Sequence, residues 1–353
     1  MKSKQIITKS ILGLSVALLS IPVLAATNIS RITSPDLLGV STYSPTHPSI
    51  SLIKDSGGTS YYFETHDVSK KVCYDVFSDC HYQKSVLGDV IRVSKNGKIK
   101  RVLNDWFASG QQPSIAPIGN GYFVVVTATQ DAPALQGYVA KVVEQDNHYK
   151  LEKVSSVNLG RGLNPSVAAM GNGYFMVTSS NDNNITGEHF LAAYVFRATE
   201  SQIYTPEYMA TFADGDTASI AYIGDSKFIE TNNTAQGIEY NVIDISNKKI
   251  VATKIDPSSD LSISTERYTS VQITPEANNP GKFVQLYTIE GQKGMYSRSL
   301  QYNDGKLLAS SPYQFSRNGN YPAAASFQGN KFIEIDINNI LFGETGLYGS
   351  ILG

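Results

Sequence analysis

Of 353 residues only two are cysteines, one is tryptophan and five are histidines, and the 29 Lys and Arg are matched by 31 Asp and Glu. So few cysteines exclude a disulfide-dense scaffold. With no basic excess to pair with phosphates, nucleic acid is not an expected partner. The apolar run from Ile11 to Leu24 is shorter than the ~20 residues a spanning helix needs, and no later run is long enough either, so no membrane span is expected after that segment. Also missing are a Gly-x-Ser-x-Gly elbow, a His-Glu-x-x-His helix, a phosphate-binding P-loop and a dinucleotide glycine pattern. No cofactor and no metal are expected from what remains.

Lys2, Lys4 and Lys9, the apolar run and Val23-Leu24-Ala25 together have the form of a secretory signal peptide over residues 1–25. The mature chain, 26–353, is therefore expected to be secreted or periplasmic, in a bacterial setting. In an oxidising compartment Cys73 and Cys80 are expected to form a disulfide bracing one loop. A reduced, metal-binding pair is the rival reading; no second ligand pair with zinc-site spacing supports it.

The chain does contain a repeat. PSIAPIGNGYFVVV from Pro113 and PSVAAMGNGYFMVT from Pro165 are near copies, and looser copies begin at Pro48, Ala218, Thr269 and Pro322. The steps between anchors are 65, 52, 53, 51 and 53 residues, a period typical of propellers and arrays. Each copy has a short apolar segment, a turn such as Gly-Asn-Gly, and a second segment rich in aromatic and β-branched residues, which favours a hairpin over a helix. A tyrosine-bearing third segment and a more polar fourth complete four antiparallel strands per repeat. The reading is an all-β, six-bladed β-propeller in one domain.

The ends support a closed ring. After Pro322 the chain has room for three strands, and the piece from Ile29 to Leu38 supplies a fourth, expected to pair with Leu347 to Leu352. Closure of that kind removes exposed strand edges. The first repeat is about 12 residues longer than the others, and the extra length falls in 68–86, read as a disulfide-braced loop insertion.

In such a ring the loops leading into each first strand gather at one mouth of the central channel, where rigid scaffolds carry binding groups. They end in Thr46-His47, Gln111-Gln112, Leu163-Asn164, Asp216-Thr217, Arg267-Tyr268 and Asn320-Tyr321. The candidates singled out for ligand contact are His47, Gln112, Asn164, Asp216, Arg267, Tyr268, Asn320 and Tyr321, a polar mixture suited to a sugar or another small polar molecule. No catalytic residue is assigned. Carboxylates near second-strand ends (Glu64, Asp67, Glu230, Glu334 and Asp336) have the residue type of a hydrolytic pair, but Glu230 and Glu334 recur at one blade position, as scaffold residues do. Ser49, Ser114, Ser166, Ser219 and Ser270 recur likewise, with Ala323 in the sixth copy, which points to a packing or backbone hydrogen-bonding role.

The motif in these copies, followed by a tyrosine-bearing strand, resembles the β-propeller repeats of about 50 residues found in bacterial secreted and surface or adhesin-like proteins. The resemblance covers nearly all of the mature chain and implies architecture more than activity. This chain lacks the tryptophan that often ends the second strand in such repeats; its only tryptophan is Trp106. Fucose-binding six-bladed lectins use recurring tryptophans in their sugar pockets, so equivalent pockets between all blades are not expected. The function read from these features is binding or adhesion, toward a glycan, a small polar ligand or a protein. A secreted hydrolase or lyase with acids and histidines of blade one, and a scaffold subunit of an exported complex, are the alternatives.

Overall fold

The computed structural model describes residues 29–41, 44–72, 81–130, 133–146, 148–182, 189–234, 237–255, 267–277, 279–339 and 345–353. The expected disulfide of Cys73 and Cys80 and the signal peptide lie outside the described residues.

Six antiparallel sheets follow one another around a ring, five built from strands in chain order and the sixth completed by the first strand of the chain. Blade 1 is β2 (Ser44–Ser56), β3 (Thr59–Val72), β4 (His81–Val93) and β5 (Ile99–Ser109). Blade 2 is β6 (Gln111–Gly119), β7 (Tyr122–Ala128), β8 (Ala134–Gln145) and β9 (His148–Arg161). Blade 3 is β10 (Leu163–Gly171), β11 (Tyr174–Asp182), β12 (His189–Arg197) and β13 (Tyr208–Asp214). Blade 4 is β14 (Asp216–Gly224), β15 (Lys227–Thr234), β16 (Gly237–Asp244) and β17 (Val251–Lys254). Blade 5 is β18 (Tyr268–Glu276), β19 (Asn279–Ile289) and β20 (Met295–Asn303), with its outer strand split into β21 (Lys306–Ala309) and β22 (Tyr313–Ser316). Blade 6 is β23 (Asn320–Phe327), β24 (Lys331–Asn339) and β25 (Thr345–Leu352), and its outermost strand is β1 (Asp36–Ser41) from the start of the chain.

The ring therefore closes as expected. β1 pairs antiparallel with β25, Asp36 opposite Gly349 and Ser41 opposite Thr345, and Arg31 bridges to Leu352. Hairpins between first and second strands turn on residues held at positive φ: Asn120 at 54° and Gly121 at 76°, Asn172 at 53° and Gly173 at 80°. Asn and Gly tolerate this backbone, and the handedness of the turn matches the twist of the strands it joins. Of the 68–86 segment, residues 68–72 and 81–86 are described and are strand: β3 and β4 continue as a two-stranded ribbon that pairs as far as Val72 opposite His81, and 73–80 lie outside the described residues.

The apolar core is not central. Among the described residues it forms six clusters, one in each seam between neighbouring blades. One aromatic on each second strand fills a seam: Tyr62, Phe123, Phe175, Phe228, Phe283 and Phe332, all 1% exposed or less. Each contributes about 2 to 3 kcal/mol of burial, and together they explain why the aromatic of the repeat is retained in every copy.

Serines of the repeat tie the blades together near the axis. Ser49, Ser114, Ser166 and Ser219 accept hydrogen bonds on Oγ from Ile115, Val167, Ile220 and Ile273 N–H of the following blade, at 2.9 to 3.1 Å. The fifth member is Gln272, whose Oε1 accepts from Ala324 N–H at 2.7 Å. This corrects the phase of the fifth repeat: Gln272, not Ser270, occupies the serine position, and the anchor is Val271, not Thr269.

Candidate functional site

The first strands converge on a channel whose upper mouth is a cavity of about 120 Å³. One residue from each blade stands at the equivalent position around it: His47, Gln112, Asn164, Thr217, Ser270 and Tyr321. In five of these the backbone is left-handed, with φ of 49°, 53°, 49°, 50° and 52° at His47, Gln112, Asn164, Thr217 and Tyr321. Side chains other than Gly and Asn pay roughly 1 to 2 kcal/mol for that conformation, and a β-branched threonine adopts it rarely. A bulge in the pairing of first and second strands accommodates it, as between Thr46 and Ser49 or Gln111 and Ser114. Strain kept at the same place in five blades, around one opening, marks the mouth as the place to look for function.

The mouth side chains are linked. His47 Nδ1 lies 3.2 Å from Asp67 Oδ1, which also accepts from Thr46 Oγ1 at 2.6 Å. Burial alone would raise the Asp67 carboxyl, but its hydrogen bonds from His47 and Thr46 hold it below its ordinary value. It is thus an anion that orients the imidazole, leaving Nε2 as the ring's remaining hydrogen-bonding atom. The other ring face of His47 meets Tyr321 at a centroid distance of 4.6 Å. Across the mouth Gln112 Nε2 donates to Asn164 Oδ1, and Asn164 N–H donates to Gln112 Oε1 at 3.1 Å.

Four of the eight candidates from sequence line this mouth: His47, Gln112, Asn164 and Tyr321. The other four do not. Asp216 is turned aside to Arg267, 2.7 Å away, Asn320 is exposed outside the rim, and Tyr268 is buried between blades. The two-residue phase error in the fifth repeat placed Arg267 and Tyr268 where Thr269 and Ser270 stand. The channel widens below the mouth to a cavity of about 360 Å³ because small residues (Ala116, Ala168, Ala221 and Ala325) line it.

The recurring carboxylates lie elsewhere, in the seams. Two residues above the seam aromatic, each second strand carries a residue paired across to the third strand: Glu64 with Asp89, Val125 with Tyr138, Val177 with Tyr194, Glu230 with Asn241, Gln285 with Arg298 and Glu334 with Ser350. The next residue on the same face is His66, Thr127, Ser179, Asn232, Tyr287 or Asp336. The four polar sets are differently charged. In blade 1, His66 Nδ1 is 3.0 Å from Glu64, while Asp89 meets Arg101 at 3.3 Å and Asn104 at 2.6 Å. Burial opposes the charged imidazole, but Glu64 beside it raises His66 to about 9, so two acids face two bases. Glu64, His66 and Asp89 have their ligand-type atoms within 4.8 Å of one another, yet their mutual pairing satisfies them without an ion. In blade 6, Arg31 reaches Glu334 at 3.0 Å and Asp336 at 3.9 Å; burial raises both carboxyls, Asp336 well above its ordinary value. In blade 4, Glu230 has, among the described residues, only Asn241 at 2.8 Å.

No family model matches this chain, and no curated protein matches it. Solved structures do. A protein of unknown function from Dyadobacter fermentans matches with a TM-score of 0.55 at 11% identity, covering 92% of this chain and 99% of its own. An alpha-L-arabinofuranosidase of Fusarium graminearum, solved with an iminosugar inhibitor, gives 0.55 at 12% identity over 92% and 97%. A Trypanosoma rangeli sialidase gives 0.51 at 10% identity over 92% of this chain and 60% of its own. What this chain shares with them is the six-bladed propeller.

Proposed function

We propose that this is an exported binding protein that takes a small uncharged polar molecule, a sugar or similar polyol, in the channel mouth. The observation that carries the reading is the ring itself: His47, Gln112, Asn164, Thr217, Ser270 and Tyr321 offer donors and acceptors around one opening, and none of them is an acid, a lysine or an arginine. Such a lining matches hydroxyl groups and gives a charged ligand no counter-ion. The left-handed backbone at five of these positions, gathered around one opening, supports the reading. That propellers of the same fold include an arabinofuranosidase solved with arabinobiose is compatible with a saccharide in this channel.

A hydrolytic role has in its favour the Asp67-oriented His47 and the likeness to the arabinofuranosidase, which is as compatible with this reading as with binding. Against it, glycoside hydrolysis ordinarily uses two carboxyl groups flanking the bond, and among the described residues Glu64, Glu230, Glu334 and Asp336 are withdrawn into seams. Calorimetric titration with pentoses, hexoses and their disaccharides tests the proposal. Saturable binding weakened about tenfold or more by Gln112→Ala with Asn164→Ala is expected. Binding untouched by that double substitution would place the ligand elsewhere, and turnover of aryl glycosides abolished by Asp67→Asn would establish the hydrolytic role.

A further inference from the structure

An ion in a protein interior needs a partner of opposite charge, because the water it gave up must be replaced. Arg298 lacks one. It is 7% exposed, it stands on β20 where blades 1, 4 and 6 place Asp89, Asn241 and Ser350, and among the described residues no carboxylate lies within ion-pair distance of it. The groups that face it are Gln285 and Tyr287 from its own blade, Tyr240 from blade 4 and Tyr268 from the start of β18. Its Nη2 donates to the Tyr287 hydroxyl at 2.9 Å, its Nη1 approaches the Tyr240 hydroxyl at 3.4 Å, and its guanidinium carbon sits 5.1 Å from the Tyr287 ring centre. Tyr240 in turn donates to Gln285 Oε1 at 3.0 Å.

These contacts soften the charge without cancelling it. Phenols are neutral, and burial holds the Tyr268 hydroxyl well above its ordinary value, so a tyrosinate does not supply the missing negative charge. Among the described residues, Arg298 Nε is buried with no hydrogen-bond partner, and the buried Tyr268 hydroxyl has at most a loose contact with the Tyr240 hydroxyl. Both carry protons to donate. A seam with one positive charge, donors to spare and no acid among the described residues is a set of donors that lacks its acceptor.

We infer that the seam between blades 4 and 5 binds a small monovalent anion, a halide or a short carboxylate, held by Arg298 and Tyr268. One negative charge balances the single guanidinium, whereas a phosphate dianion would leave the seam with an excess. Tyr240, Tyr268 and Tyr287 pack around the guanidinium, the rings of Tyr268 and Tyr287 in contact at 4.9 Å between centroids, so a bulky ion is rejected. This site is separate from the channel mouth and does not depend on what binds there.

The full chain is melted at fixed ionic strength while sodium gluconate, too bulky for the seam, is exchanged for sodium chloride or sodium acetate. A ligand bound only to the folded state raises Tm in a saturable way. The expected result is a saturable rise in chloride, acetate or both, which names the ion, and its loss in Arg298→Gln. Tyr268→Phe keeps the cation and removes one donor, so its half-saturating concentration should increase about tenfold. Chloride-35 line broadening on the wild-type protein, reversed by acetate if the two ions share the site, reads binding without any variant. Equal Tm in all three salts, or a dependence that survives in Arg298→Gln, would overturn the inference.

Discussion

The seam between blades 6 and 1 and the seam between blades 4 and 5 are built from equivalent residues and solve the problem of buried charge differently. In the first, Glu64 and Asp89 face His66 and Arg101, and each charge has a named partner. Arg101 also lies against the ring-closing strand: a Cβ on Gly39 of β1 would come within 2.4 Å of its guanidinium and push it aside. In the second, among the described residues, Arg298 faces tyrosines and Gln285 and no acid. The first seam lacks the serine tie, since Ala323 has no hydroxyl, while the second has it in Ser219. Equivalent backbone positions thus tolerate opposite electrostatic content, because each seam needs only apolar filling by its aromatic residue and local satisfaction of whatever polar groups lie above it. A charge-balanced seam should be sensitive to the loss of one partner, and an unbalanced one to pH or to added ions.

The sharpest way to break this contrast is His66→Ala. Removing one member of a buried pair leaves the other charge stranded, at a cost of about 3 to 5 kcal/mol. Urea unfolding at pH 7 measures it, and a loss below about 1 kcal/mol would mean that charge balance does not hold the seam. Glu230 extends the comparison to a seam that, among the described residues, has an acid with no base paired to it. Burial raises its carboxyl to about 8, while in the unfolded chain it titrates near about 4.3. The folded state therefore keeps a proton that the unfolded state releases. Stability from this group is complete below the unfolded value, declines as pH rises toward 8, and is absent above that. Glu230→Gln should abolish this slope and stabilise the protein at pH 8.5 by on the order of 3 kcal/mol, with little change at pH 4; denaturant midpoints at the two pH values decide it. The smallest effect is expected from Ser219→Ala, which removes the tie to Ile273 N–H at 2.9 Å for about 1 kcal/mol. Faster hydrogen exchange at Ile273, with blade 1 unaffected, is the accompanying sign.

The ring and its closing strand were readable because the turn residues and the seam aromatics are local signals: Asn120-Gly121 and Phe123, or Asn172-Gly173 and Phe175, sit within a few positions of each other. The role of the repeated serines followed from their regular spacing. The fifth repeat misled because Thr269-Ser270-Val271 mimics the anchor, whereas Gln272, a longer side chain, makes the tie. That substitution moved two of the eight mouth candidates out of the mouth and hid Thr269 and Ser270. The polar sets in the seams were not legible: Glu64 and Asp89 are 25 positions apart and Gln285 and Arg298 are 13 apart, separations that only the strand register brings together. Charge counts along the chain could not show that Arg298 ends up without an acid among the described residues.

The pairing at the two ends of the described chain has a consequence for connectivity. Ser30 N–H donates to Gly353 O at 3.2 Å and Gly353 N–H donates to Ser30 O at 3.0 Å, so a short peptide would join them. Reopening the backbone at the exposed Asn120-Gly121 turn would then yield a circular permutant with the same six sheets and a different first blade. Which blade begins the polypeptide is, for this architecture, a matter of genetic bookkeeping and not of folding.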